Sequence, residues 1–277
     1  MIKKNTKLSS IYLFVVFILL YLPIFYLIYY SFNAAGTMNQ FDGFTLEHYA
    51  ALADDTRLLT IALDTVRVAL ISSLAATVIG TMGAIGIYFA RKKRAQGLLL
   101  SLNNILLVSP DVIIGASFLL LFTLAGFRLG FYSVLFSHIA FSIPIVVLMV
   151  LPRLEEMNPH MITAARDLGA SQWQVLKEII LPSISSGILA GFFMAFTYSI
   201  DDFAVTFFVT GNGFATLSVE IYSRARQGVS LEINALSTLL FLVAMAIVVG
   251  YYFIQKQNTR KKTLAVDPTN HEKAVMP

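Results

Sequence analysis

Three carboxylates stand where apolar sequence makes an acid costly. Asp111 follows Ser109-Pro110 inside one apolar run, and Asp201 and Asp202 sit deep in another, within Tyr198-Ser199-Ile200-Asp201-Asp202-Phe203. An ionisable group in hydrocarbon is expensive and is usually kept for a cavity, a counter-charge or a cargo. Pro110 lacks an N–H and can bend its helix there, while Asp111 reads either as a cavity acid or as a structural acid paired with a neighbouring helix. Adjacent helical residues diverge by about 100°, so one of Asp201 and Asp202 can face a cavity while the other meets a neighbour. Glu220, in the polar segment after Gly211-Asn212-Gly213, reads either as a fourth acid of the same path or as a solvated side chain. Acids in a pore with few buried bases suit a cationic cargo. Aromatic residues such as Phe192, Phe196, Tyr198, Phe203 and Phe207 crowd the run that holds Asp201; most suit packing or lipid contact, and a few can meet ammonium groups face-on.

Catalytic chemistry finds little support. There is no activated-nucleophile motif, no cofactor loop and no His/Glu metal cluster, so no catalytic or metal-binding residue is expected. The chain has no cysteine, which excludes disulfides and thiol chemistry. His138 reads as a packed contact between helices, and His271 as a solvated residue of a polar tail.

The elements that must position the acids are membrane helices. Of 277 residues 57% are hydrophobic and 13% charged, against roughly 25% charged in soluble domains. Mean hydropathy is +0.74. Six apolar runs, near 11–31, 64–90, 100–125, 131–151, 183–208 and 234–254, each suffice for the roughly 20 residues that cross a bilayer as a helix. They are too long, and lack the alternation, for strands of a membrane barrel. The expected fold class is therefore all-α and polytopic. The first run is long for a cleaved signal peptide, whose apolar core spans roughly 7–15 residues, and reads as an uncleaved span. Gly80, Gly83 and Gly86 form a small-residue series suited to close helix packing.

Lys and Arg set the orientation. With the N-terminus inside, the cytoplasmic segments hold 15 of them, including the Arg91-Lys92-Lys93-Arg94 cluster, and the outer segments hold four: Arg57, Arg128, Arg224 and Arg226. Both termini are then cytoplasmic. The basic residues sit in short clusters at the ends of apolar runs, which argues against nucleic-acid binding. Residues 255–277 read as a mobile cytoplasmic tail after a membrane domain of residues 1–254.

One segment, residues 152–182, does not belong to the bilayer. Asn158-Pro159 signals the start of a helix. Met161, Ala164, Ala165 and Leu168 then share one face, and Gly169 is placed to end that helix. Ser171 and Gln174 have capping-box spacing and open a second helix that Pro182 should break. On periodicity alone this is an amphipathic hairpin at the membrane surface, with or without a partner.

The spacing Ala164-Ala165, three residues, Gly169, nine residues, Ile179-x-Leu181-Pro182 resembles the EAA loop of binding-protein-dependent ABC importer permeases. The residue that is usually acidic in that loop is Thr163 here, which puts a salt bridge from that position in doubt. Further stretches are similar to the spermidine/putrescine branch of that family: Ser109-Pro110-Asp111, Leu135-Phe136-Ser137-His138-Ile139, Ala164 through Ser171, Ser199-Ile200-Asp201-Asp202, Phe208-Val209-Thr210-Gly211, and Val229 through Ala235.

The resemblance implies a type I ABC importer transmembrane domain in a bacterial inner membrane, forming half of a path for polyamines. It implies that Thr163, Ala164, Ala165, Arg166, Asp167 and Gly169 belong to the element that couples the membrane subunit to the ATPase. It also implies the partners: a homologous second permease subunit, two ATP-binding subunits and an external polyamine-binding protein. The chain has no Gly-x-x-x-x-Gly-Lys-Ser/Thr loop to hold nucleotide phosphates. It is therefore expected to bind no cofactor itself, with ATP and Mg held by the partner ATPases. An ABC permease for another small solute is the nearest alternative. An ion-coupled secondary carrier could also use intramembrane acids, but gives no reason for the Ala-Ala-x3-Gly-x9-Ile-x-Leu-Pro loop.

Overall fold

The computed structural model describes residues 6–35, 38–227, 231–243 and 245–246. The tail 255–277 with His271, the residues Lys3, Lys4, Val229 and Ser230, and the end of the sixth expected span lie outside the described residues. Among the described residues the elements are helices, apart from one isolated bridge between Asn33 and Phe44. The chain divides into two compact units, one of residues 56–223 and one of the segments before and after it.

The larger unit is built on three helices: α3 (Thr56–Tyr88), α6 (Phe131–Glu156) and α9 (Ser185–Asp201). They meet where glycine removes the side chain that would hold backbones apart. A Cβ on Gly80 of α3 would lie 2.7 Å from the Val146 Cβ, and one on Gly191 of α9 would lie 3.3 Å from the Val146 Cα. Val146 of α6 is thus gripped from both sides, with no exposed surface. The expected small-residue series narrows to its first member: a Cβ on Gly83 would make ordinary contact, and one on Gly86 would meet open space.

Two expected spans are interrupted. The run 100–125 is not one helix. α4 (Lys93–Val108) and α5 (Asp111–Leu124) meet at 104° across Ser109-Pro110. Proline disfavours the helical conformation of the residue before it, and Ser109 is extended, with ψ 137°. The run 183–208 likewise divides into α9, a break at Asp202-Phe203, and the short α10 (Ala204–Val209). Pro144 and Pro152, by contrast, both sit inside α6, which continues past the expected end of the fourth span to Glu156. α3 starts at Thr56, ahead of the apolar run, and at 33 residues is about 50 Å long, against a hydrocarbon core of about 30 Å. Three described helices are long and apolar enough to cross a membrane, or up to five if each of two bent pairs is one span. The last apolar helix is described over Leu231–Val243.

The segment after α6 folds as its local signals predict. The Asn158 carboxamide oxygen accepts from the His160 N–H at 3.0 Å, and α7 runs over His160–Asp167. Gly169 then takes φ +85°, with Gly169 N–H bonded to Arg166 O and Ala170 N–H to Ala165 O, the paired closure of a Schellman cap. Ser171 and Gln174 exchange bonds in a capping box and open α8 (Gln172–Ser183). Pro182 does not break α8 as expected. A π-helical turn over Val175–Ile180 precedes it, and the 66° bend into α9 falls at Ile184.

The smaller unit contains α1 (Thr6–Tyr30) and α2 (Glu47–Asp54). The buried Asn33 organises the turn that follows α1: its Nδ2 donates to Gln40 O at 2.6 Å, and its Oδ1 accepts from Asp42 N–H at 3.0 Å. Ser31 Oγ lies 2.7 Å from the Tyr49 hydroxyl. Arg224, one of the two arginines that break the positive-inside pattern, pairs with Asp55 at 2.9 Å and Glu232 at 3.5 Å.

Candidate functional site

Asp111 and Asp201 share a neighbourhood in the larger unit. Asp111 is the first residue of α5, where the helix dipole favours a carboxylate, and its side chain is open to the outside of the fold. Its Oδ1 accepts from the Tyr198 hydroxyl at 2.8 Å. Tyr198 lies one turn before Asp201 on α9, and both line a cavity of about 360 Å³ with Thr197, Met194, Phe141 and Ile114. The walls are otherwise apolar. The site is an apolar chamber carrying one carboxylate, with a second tied to a phenol on its wall.

Asp202 points elsewhere. It is only 8% exposed, and its carboxylate caps α10: it accepts from Val205 N–H at 3.3 Å, from Thr206 N–H at 2.8 Å and from the Thr206 hydroxyl at 2.7 Å. His138, fully buried on α6, lies 3.5 Å from the same carboxylate. The neighbouring acids therefore take different duties because α9 ends between them. Glu220 does not join the cavity either. It is buried beside Arg57, which donates to it at 3.1 Å. A half-polar hollow of about 340 Å³ next to this pair is lined by Arg57, Thr60, Asp64 and Phe214.

The residues that sequence reading did not assign are those around Asp202. His138 Nδ1 meets the Ser199 hydroxyl at 2.6 Å, His138 Nε2 meets the Thr206 hydroxyl at 2.8 Å, and Ser199 meets Ser72 of α3 at 3.1 Å. A histidine and hydroxyls inside apolar spans that also carry an acid were the available signal. Among the described residues, no group of three His, Cys, Asp or Glu is arranged to hold a metal ion.

The other candidate region is the α7–α8 hairpin. Ile162, Val175 and Ile180 are buried in one apolar cluster with Leu154 and Met157, and Ala165 packs against it. This fixes the hairpin to the end of α6. Thr163, Ala164, Arg166, Asp167 and Gly169 are all exposed on it. The stripe expected from Met161, Ala164, Ala165 and Leu168 is therefore not the buried face. Leu168 is 90% exposed and Trp173 67% exposed, so the hairpin presents apolar side chains outwards around a glycine turn.

The larger unit is an interrupted helical bundle with acids at its breaks and an outward-facing helical hairpin, and the chain as a whole has counterparts among solved structures. It superposes on a bacterial ABC transporter involved in the import of the acidic polysaccharide alginate with a TM-score of 0.71. That match covers 92% of this chain and 97% of the other at 17% identity, a likeness of fold alone. Residues 76–263 match the family described as "Binding-protein-dependent transport system inner membrane component", and the chain belongs to that family. Within it, the chain is 39% identical over 247 residues to the spermidine/putrescine transport system permease protein PotC of Escherichia coli (strain K12), covering 88% of this chain and 92% of PotC. It is 32% identical over 254 residues to the putrescine transport system permease protein PotI of the same organism, covering 88% of this chain and 90% of PotI.

Proposed function

We propose that this chain is one of two homologous membrane subunits of an ATP-driven importer and forms half of a path for polyamines. The observation that carries the cargo assignment is Asp201. It lines a mostly apolar cavity, shared with the hydroxyl-bearing Thr197 and Tyr198, and has no ion-pair partner among the described residues. A carboxylate in that position is stable when water or a cation meets it. The relatives PotC and PotI, named for spermidine and putrescine, support an amine as that cation. Asp111, held by Tyr198, offers a second carboxylate suited to the spaced ammonium groups of a polyamine.

The exposed face of residues 160–174 docks on an ATP-binding subunit. Thr163, Ala164, Ala165, Arg166, Asp167 and Gly169 form its contact, and the ATP-binding subunits hold ATP and Mg. Leu168 and Trp173 give that face the apolar area a protein contact needs. The domain spans the membrane six times with both termini in the cytoplasm, and residues 255–277 form a tail there. The outer segments around 32–60 and 210–232 receive an external polyamine-binding protein. Asp202 and Glu220 support the path by structure and do not touch the cargo.

The test is spermidine uptake by the assembled transporter with Asp201→Asn, against Glu232→Gln as a control outside the cavity. The expected result is at least about a tenfold loss of uptake for Asp201→Asn, as for a lost interaction with a charged group, and a smaller loss for Glu232→Gln. Equal uptake by the two variants removes Asp201 from the path, and undiminished uptake of an uncharged solute by the wild type reassigns the cargo.

A further inference from the structure

The break between α9 and α10 is closed mainly by groups close to it in sequence. Asp202 caps α10 from within, and the Ser218 hydroxyl donates to the Asp202 carbonyl at 2.6 Å. One side chain comes from far away and touches both sides of the break. His138 of α6 reaches Ser199, before the break, with Nδ1 at 2.6 Å, and Thr206, after it, with Nε2 at 2.8 Å. The Thr206 hydroxyl donates to Asp202, so its oxygen accepts from His138 Nε2–H. Imidazole is a rigid plane whose two nitrogens point in fixed, divergent directions. A rigid ring bonded to both helices fixes the angle between them. It is itself fully buried and packed at a 46° tilt against Phe141, with ring centroids 4.9 Å apart. Ser72 of α3 meets Ser199 from behind.

The consequence falls on Asp201, the last residue of α9. Its direction depends on where the helix stops and how it is held there. We infer that His138 is a positioning residue, a brace across the interruption of the fifth span that keeps Asp202 folded inward and Asp201 turned into the cavity. The importance of that orientation for transport rests on the proposed role of Asp201 in the cation path; the orientation itself does not.

The chain lacks cysteine, so a single thiol reports the orientation directly. The experiment uses the whole transporter in liposomes, with the other subunits free of reactive thiols, and a small cationic methanethiosulfonate as the probe. The labelling rate of Asp201→Cys is measured alone and together with His138→Ala, His138→Gln and Thr206→Val. Access governs the reaction, so His138→Ala and Thr206→Val should each slow labelling about tenfold, while His138→Gln, which keeps a donor towards Thr206, slows it less than about threefold. A rate unchanged by both His138→Ala and Thr206→Val overturns the inference; Thr206→Val alone decides it if His138→Ala does not assemble.

With Asp201 intact, His138→Ala should raise the half-saturating spermidine concentration about tenfold, with a smaller change in turnover per assembled complex. It should add nothing further in an Asp201→Asn background, as coupled residues do. A loss confined to turnover, multiplying with that of Asp201→Asn, marks a merely structural histidine and overturns the inference. If Asp201→Asn alone leaves uptake intact, the path reading fails, and the labelling rates still decide the brace.

Discussion

The Tyr198 hydroxyl on α9 donates to the Asp111 carboxylate at the start of α5, at 2.8 Å. This bond joins the two interrupted spans beside the cavity that Asp201 lines. A hydrogen bond to a charged group contributes about 1.5–3 kcal/mol. Tyr198→Phe removes it with little change in shape. The half-saturating polyamine concentration for uptake should rise by about tenfold or more, the lower end of that range because Asp111 is exposed. Asp111→Asn should do nearly the same, and the double variant little more. Additive losses in this cycle would mean that the two residues act separately.

Gly169 ends α7 at φ +85°, a conformation that costs most residues with a Cβ about 1–2 kcal/mol. Gly169→Asp adds a charge on an exposed turn and leaves the bundle untouched, since a Cβ there meets nothing. Membrane insertion should be normal, measured by protease protection, while polyamine-stimulated ATP hydrolysis should fall to the unstimulated level. Normal stimulation would place the ATPase contact elsewhere.

Leu168 separates docking from folding. It is 90% exposed, so Leu168→Glu should leave the thermal midpoint of the isolated subunit within the scatter of surface substitutions, about 0.5 kcal/mol. Co-purification of the ATP-binding subunit should nevertheless weaken at least tenfold, about 1.4 kcal/mol. A variant that still co-purifies fully argues against this face as the contact.

Much of this hairpin was legible in the sequence because its signals are local. Asn158 caps two residues on, Gly169 supplies its own left-handed turn, and Ser171 with Gln174 closes over three residues. The break at Pro110 was legible as a possible bend for the same reason, although its 104° angle was not. The fate of Asp202 was not legible. It caps α10 through Val205 and Thr206, inside an apolar run that reads as one unbroken helix, and His138, 64 positions earlier (202 minus 138), meets it only when α6 packs against α9. Glu220 is similar: its partner Arg57 lies 163 residues away. On α7, Met161 and Leu168 share the apolar stripe that their spacing sets. The fold instead buries Ile162 and turns Leu168 out. Apolar periodicity reports a covered face, and a partner subunit can be the cover.

The glycine contacts offer a stability test with a control inside the same helix. Gly80→Leu forces side-chain atoms onto Val146 and the Ile143 carbonyl, whereas Gly86→Leu projects into open space. Overpacking costs about 1–3 kcal/mol. The thermal midpoint of the detergent-solubilised complex should fall for Gly80→Leu and hold for Gly86→Leu. Equal midpoints would contradict the close approach of α3 to α6.

On the proposed function, this chain moves a polyamine only as part of an ATP-driven assembly. Spermidine uptake into proteoliposomes, with the binding protein outside and ATP inside, tests it most directly when compared with and without the ATP-binding subunits. Uptake should require both the ATP-binding subunits and ATP and should ignore a proton gradient. Uptake that persists without them and follows the proton gradient would contradict it.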